Sequence, residues 1–259
     1  MTGVDFILLD KVDSTNTYAR KNFSSLPDGC VVVAVEQTAG RGRLGRQWFS
    51  GKDLSVTATA VLKNISVPFH AGVVVGLAGL ELVRECVPHA FSFFKWPNDI
   101  YIRDCKIAGI LSEGVLKNGK LQGVAAGIGI NVNNDTTALR VNGIRAISLQ
   151  EVSKQTFFVE KLRIELAKKI KKYYIMCQSN PDGILTLWRQ ENRLIGEQLV
   201  LDLPSGESKQ GKFLGITDSG AMQLEDANGG VFCFDCGDVK IDTSLIDFNS
   251  LKEKYMNEL

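Results

Sequence analysis

The dipeptide Asn118-Gly119 restricts the fold more than any other part of this sequence. It separates two long runs rich in apolar residues and free of proline, Ile107–Leu116 and Leu121–Asn131. Asn-Gly accepts the positive φ angles of a two-residue hairpin turn, whose twist matches that of its flanking strands. The two runs are therefore expected to pair as adjacent antiparallel strands near the middle of the chain.

Phe6–Leu9, Val31–Gln37, Leu54–Leu62, Phe91–Lys95 and Ile100–Arg103 read as further strands, many of them rich in β-branched or aromatic residues. Ser14 or Thr15 is placed to cap a helix reaching about Phe23. Val67–Val87 predicts a buried helix that Pro88 stops. Phe158, Leu162, Leu166, Ile170 and Tyr174 recur at fourfold spacing, which predicts an amphipathic helix with lysines opposite. A second helix is expected from Pro181 or Asp182 to about Gln190.

From about Asn192 the texture changes. Glu197–Leu203, Gly211–Ile216, Ala221–Glu225 and Val231–Phe234 are short strand-like runs separated by Pro, Gly, Asn and Asp turns. That spacing predicts a small barrel-like β-module, followed by a tail helix within Leu245–Leu259. The expected organisation is an α/β (α+β) domain over residues 1–191 and a small β-domain over residues 192–259.

The 30 basic and 29 acidic side chains leave a formal charge of +1. Adhesion to nucleic acid or membrane through a broad basic surface is not implied. The longest apolar run, Ala71–Leu80, is too short to span a bilayer, and Met1–Asp10 lacks a secretory signal. A cytoplasmic location is expected. The six cysteines fall mostly in apolar stretches, as reduced core thiols would. Cys233 and Cys236 form one CxxC without a second pair, and His70 and His89 are distant, so no protein-built metal site is expected.

Against this neutral background, Gly40-Arg41-Gly42-Arg43-Leu44-Gly45-Arg46 concentrates three arginines among three glycines ahead of Trp48. Glycine lets backbone amides approach a ligand, and guanidinium recognises phosphate or carboxylate with paired hydrogen bonds. The segment reads as a flexible anion clamp. It also matches GxGxxG, but a strand rather than a helix follows, so a dinucleotide fold is rejected. A Walker loop fails as well, because Asp53 stands where Ser or Thr is required.

Other segments carry weaker signals. Lys95-Trp96-Pro97-Asn98-Asp99 joins two strands and is either a rigid turn or part of a site. Lys106 opens an apolar strand, and Gly127-Ile128-Gly129-Ile130-Asn131 closes the hairpin with small residues and one amide. Asp13-Ser14-Thr15-Asn16 is a helix cap that also offers polar hydrogens to a ligand. No serine–histidine–acid or cysteine–histidine signature is present, so any chemistry rests on cations, amides and backbone.

Taken in order, Asp13-Ser14-Thr15-Asn16, Gln37-Thr38-Ala39-Gly40, GRGRLGR with Trp48, KWPND, KIAGIL and GIGIN resemble the motifs of the biotin–protein ligases, over about residues 5 to 135. The resemblance implies a mixed-sheet catalytic domain related to class II aminoacyl-tRNA synthetases and an SH3-like C-terminal domain. It implies ATP-dependent formation of biotinyl-5′-AMP, with Mg2+ on the nucleotide, then transfer of biotin to a lysine of a biotin carboxyl carrier protein.

By motif match, Ser14, Thr15 and Gln37 would hold biotin's polar ring, with Gly40, Arg41 and Gly127 lining its pocket. Arg43 and Lys106 would sit at the carboxylate and α-phosphate, Lys106 as the central catalytic cation. Arg46, Asn98 and Asn131 would contact or orient the nucleotide, and Trp48 would pack on the adenine. Asp99 would support the site, and Lys95 would either support it or touch substrate.

The sequence departs from the family at Phe49–Leu54, where relatives carry Ser-Pro and Asn-Leu. The motifs also begin near residue 5, leaving no room for an N-terminal helix-turn-helix, so a single-function ligase that binds no DNA is expected, with a homodimer left open. Two other readings compete. One is a lipoate or octanoyl transferase on a related scaffold; the other is a non-enzymatic sensor of an anionic ligand.

Overall fold

The computed structural model describes residues 6–240 and 246–256. The chain runs β1 (Phe6–Val12), α1 (Thr15–Lys21), β2 (Val31–Gln37), β3 (Ser55–Leu62), α2 (Pro68–Cys86), β4 (Ser92–Lys95), β5 (Asp99–Ile102), β6 (Cys105–Lys117) and β7 (Lys120–Asn131). It continues with α3 (Thr137–Val141), α4 (Leu149–Ser153), α5 (Val159–Ser179), α6 (Pro181–Glu191), β8 (Gln198–Asp202), β9 (Ser208–Ile216), β10 (Met222–Glu225), β11 (Val231–Phe234), β12 (Asp238–Lys240) and α7 (Phe248–Met256).

The expected hairpin is the centre of the molecule. Asn118 and Gly119 take φ of 51° and 75°, and β6 and β7 pair antiparallel through Lys117–Lys120. Among the described residues the strands form two sheets, one ordered β1-β2-β3-β7-β6-β5-β4 and one ordered β11-β10-β9-β8-β12. Only β1 and β2 run parallel in the first sheet; every other pairing is antiparallel.

The period-two alternation of strands separates two faces. Val31, Val33, Ala58, Ala60, Ile110, Ile128 and Ile130 belong to the large core that also contains α2, α5 and α6 residues. Val32, Val61 and Ala125 belong instead to a small cluster under α1, with Ala19 and Phe23. In register across β3, β7 and β6 lie the rows Thr57–Gly129–Gly109, Thr59–Gly127–Leu111 and Val61–Ala125–Glu113. These rows share the α1 side, and beyond the end of α1 they are left as the floor of a hollow. The opposite rows, such as Ala58–Ile128–Ile110, are buried against helices.

Several expectations shift. Phe158 is the N-cap of α5 rather than part of its apolar stripe and is 71% exposed, because the helix begins one residue later. Ser14 occupies the N-cap of α1 but makes no side-chain cap bond. Helices α3 and α4 were not anticipated, since their segment is short and polar. Strand β12 was also missed; at three residues it has no readable period. Cys233 and Cys236 are exposed, not core thiols. The tail helix spans Phe248–Met256, and Leu245 and residues 257–259 of the expected range lie outside the described residues. No helix among the described residues is long and apolar enough to cross a membrane.

Candidate functional site

The hollow over the β3–β7–β6 floor is a cavity of about 990 Å3. Its floor is open because Gly109, Gly127 and Gly129 carry no side chain where their rows face the hollow. Gly127 and Gly129 leave the least room. A Cβ on Gly127 would lie 2.0 Å from Asn16 Oδ1, and one on Gly129 would lie 2.4 Å from the Trp48 ring. The glycines thus let Asn16 and Trp48 lie flat against the sheet.

One end of the cavity is a closed polar pocket beside the start of α1. Ser14, Thr15 and Asn16 are all buried there. Gln37 Oε1 accepts from the Thr15 amide at 2.8 Å and from its hydroxyl at 3.1 Å. Thr59 Oγ1 lies within hydrogen-bond reach of Thr15 Oγ1 and Asn16 Oδ1. Asn16 Nδ2 donates to the Leu111 carbonyl at 2.9 Å and to Glu113 at 3.0 Å. Glu113 in turn pairs with Arg20 at 2.8 Å and Arg41 at 3.7 Å.

The arginine loop forms the lip of the cavity. It is a small hairpin: Trp48 N donates to Gly40 O, Gly42 N to Arg46 O, and Arg41 bridges to Gln47. Leu44 and Gly45 turn the tip, with φ of 53° and 75°. Arg43 donates to Asn98 Oδ1 at 3.0 Å, while Asn98 Nδ2 donates to the Ile110 carbonyl at 2.7 Å. Asn98 therefore aims Arg43 from a fixed position on the sheet. Arg46 reaches Asp238 of β12 at 2.5 Å.

Lys106 projects from β6, with Nζ 2.6 Å from Asp99 Oδ1 and 5.9 Å from the centroid of the Trp48 ring. The Trp48 Nε1 donor is shielded from solvent and has no protein acceptor. Asn131 is buried at the end of β7 and donates to the Ile147 carbonyl at 3.2 Å. Ile147 N also bonds Lys106 O, which ties the 133–148 segment to the lysine's strand.

The structure brings Ser14, Thr15, Gln37, Arg41, Arg43, Arg46, Trp48, Asn98, Lys106, Gly127 and Asn131 onto one cavity. Gly40 stands apart from that lining. A Cβ there would meet the Trp48 carbonyl at 2.4 Å, so its need for glycine comes from the base of the loop hairpin rather than from the cavity wall. Thr59, Glu113, Asp238 and Lys240 were not anticipated. Thr59 and Glu113 were readable only as partners of Gly127 and Ala125, respectively, in the strand register. Nothing local marks Asp238.

Comparison with known proteins agrees with this geometry. Residues 8–131 match the model of the biotin/lipoate A/B protein ligase family. A biotin–[acetyl-CoA-carboxylase] ligase of Paracoccus denitrificans is 31% identical over 229 residues, covering 86% of this chain and 95% of that protein. The enzyme of the same name from Mycobacterium tuberculosis is 31% identical over 225 residues, covering 82% and 79%. A biotin protein ligase from Aquifex aeolicus, solved in complex with biotin and ATP, superposes with a TM-score of 0.76 at 25% identity, covering 91% of this chain and 97% of that one. By this extent of similarity to full-length relatives, the chain belongs to the biotin–[acetyl-CoA-carboxylase] ligases of the biotin/lipoate A/B protein ligase family.

Proposed function

We propose that the protein is an ATP-dependent ligase acting in two steps. A carboxylate oxygen of biotin attacks the α-phosphorus of ATP, the bond to pyrophosphate breaks, and biotinyl-5′-AMP forms. The amine of a lysine on a biotin carboxyl carrier protein then attacks the acyl carbon, loses a proton and releases AMP.

The observation that carries this reading is the convergence of Arg43 and Lys106, from separate segments, on one cavity floored by glycine. Joining a carboxylate to a triphosphate brings like charges together, so fixed cations and orientation supply the acceleration. Arg43, held by Asn98, suits the carboxylate, and Lys106 suits the α-phosphate. Arg46, Asn131 and the unpartnered Trp48 Nε1 suit the nucleotide. The closed end favours biotin over lipoate, because Ser14, Thr15, Asn16, Gln37 and Thr59 line or back it with hydroxyls and amides. Those groups can exchange hydrogen bonds with the N–H and C=O groups of a ureido ring, which a dithiolane does not offer.

Magnesium is assigned to the nucleotide. Among the described residues no group of three or more His, Cys, Asp or Glu gathers as a metal site. The cavity carboxylates of Asp99, Asp104, Asp202 and Asp238 each pair with a cation. Residues 1–191 are read as the catalytic part and 192–259 as a small β-domain that contributes Asp238 and Lys240 to the rim.

The test supplies biotin, ATP, magnesium and a carrier domain, and follows biotin-dependent pyrophosphate exchange together with the mass of the carrier. Exchange and a biotinylated carrier are expected. Activity with lipoate alone would overturn the assignment, and binding of both ligands without adenylate would make the protein a sensor. Lys106→Ala should slow adenylate formation by about 100-fold or more while ATP binding changes little. A near-normal single-turnover rate would remove Lys106 from this role.

A further inference from the structure

Lys95 ends β4 with its side chain 5% exposed, an uncommon place for an ammonium group. Its Nζ lies 3.9 Å from Asp99 Oδ2, while the other oxygen of the same carboxylate lies 2.6 Å from Lys106 Nζ. One buried carboxylate is thus shared by two ammonium groups of unequal access. Both lysines line the cavity, but Lys106 is 29% exposed whereas Lys95 is nearly enclosed, with Nζ 5.0 Å above the Tyr101 ring. Asp238 and Arg46 supply the other charges near Lys95.

We infer that Lys95 is a positioning residue for adenylate formation, a fixed counter-ion that keeps Asp99 neutralised when Lys106 leaves it for the reacting phosphate. The inference rests on the ligase reading given above. Lys106 cannot hold Asp99 at 2.6 Å and also give its charge wholly to a phosphate oxygen. Asp99 is 7% exposed, and a buried carboxylate stripped of its only cation is strongly destabilised. Without a second cation, Asp99 would keep Lys106. With Lys95 beside it, the carboxylate retains a partner through the whole step. Burial pushes the Lys95 ammonium down from its ordinary range and Lys106 pushes it the same way, while Asp99 opposes both. Of the two acids that favour the charged form of Lys95, Asp99 and Asp238, Asp99 has the larger effect.

The experiment first measures biotin-dependent pyrophosphate exchange in the unaltered protein; absence of exchange there sinks the ligase reading and this inference with it, whereas the variants below test the inference alone. Lys95→Met removes the charge and keeps much of the volume. Single-turnover adenylate formation should fall roughly 10- to 100-fold, with KM for biotin and ATP within about 3-fold of the parent. In an Asp99→Asn background the carboxylate that would be stranded is gone, and adding Lys95→Met should then cost less than about 3-fold. An undiminished single-turnover rate, a loss carried by KM, or an equal loss in the Asp99→Asn background would each overturn the inference. Melting curves verify folding, and Lys95→Gln, which keeps a polar head beside Asp99, takes the place of the Met variant should that one not fold.

Discussion

At the scale of single residues, the cavity is made by atoms that are missing. Gly127 and Gly129 are two positions apart on β7 and face the same way, yet each leaves room for a different neighbour. Gly127→Ala would drive a methyl into Asn16 Oδ1, and Gly129→Ala would drive one into the Trp48 indole. Asn16 is locked by bonds to Leu111 O and Glu113, so it yields little; Trp48 sits on a loop and yields more. The expected outcome is a split. Gly127→Ala should raise KM for biotin about 10-fold or more with ATP nearly unaffected, and Gly129→Ala should act mainly on ATP. Steady-state kinetics varying each substrate in turn would show it, and an equal effect on both substrates from either variant would disprove the separation. The glycines were legible in the sequence because small residues at alternate positions of a strand leave one face bare. Asn16 stood in view beside Ser14 and Thr15, but its contact with Glu113 was not readable, since it depends on where β6 crosses α1. Gly40 shows the opposite error: a glycine within a ligand motif that its own loop hairpin requires.

At the scale of elements, long periodic segments were legible and short ones were not. Helix α2 and the β6–β7 hairpin follow from many residues agreeing on one period, so their bounds move by one or two positions at most, while α5 starts one residue late and runs to Ser179, past the expected stripe. Helices α3 and α4 have five residues each, too few to show a face, and polar contacts hold their segment in place. Glu151 is the centre of those contacts. It closes a capping box with Ser148, accepts from Thr136 and pairs with Arg140 at 2.8 Å. Burial alone would raise its carboxyl, but the bonds from Arg140, Thr136 and Ser148 outweigh burial and hold it at about 2. A carboxyl depressed on folding stabilises the native state above its unfolded value near 4.5, and that contribution is lost as pH falls toward about 2. Glu151→Gln should therefore lower stability at pH 7 by about 2 kcal/mol, allowing for the partial exposure of the pair, and the gap should close between pH 4.5 and pH 2. Urea unfolding at a series of pH values tests this, and a gap independent of pH would show that shape rather than charge is responsible. The same segment carries Ile147, whose amide donates to Lys106 O and joins it to the strand from which the lysine projects.

At the scale of the whole molecule, the two sheets meet in two chemically different ways. Away from the cavity the junction is tight: Trp96 Nε1 donates to Gly220 O at 2.9 Å, Gly220 packs on the Phe69 ring, and Phe248 stacks on Phe93. On the cavity side the tether is the Arg46–Asp238 ion pair, whose side chains are 66% and 34% exposed. The sequence foretold a separate β-module but not this tether, because ion pairing across the junction leaves no mark on local pattern. Exposed ion pairs contribute little, since water and salt screen them and two side chains must be ordered to form them. A triphosphate offers Arg46 several oxygens and more charge than one carboxylate. On the proposed role of Arg46 at the nucleotide, Asp238 would compete for it, weakly enough to be displaced when a nucleotide arrives. Asp238→Asn removes the competitor without altering shape. It should lower KM for ATP by about 2- to 5-fold, an amount set by the strength of exposed ion pairs. It should also make the loop arginines more readily cut by trypsin before ATP is added and no more so afterwards. Added salt should narrow the difference between variant and parent by weakening the competing pair. If KM for ATP instead rises in Asp238→Asn, Asp238 orients Arg46 toward the phosphates rather than competing for it, and the small domain acts as a wall of the nucleotide site rather than as a latch upon it.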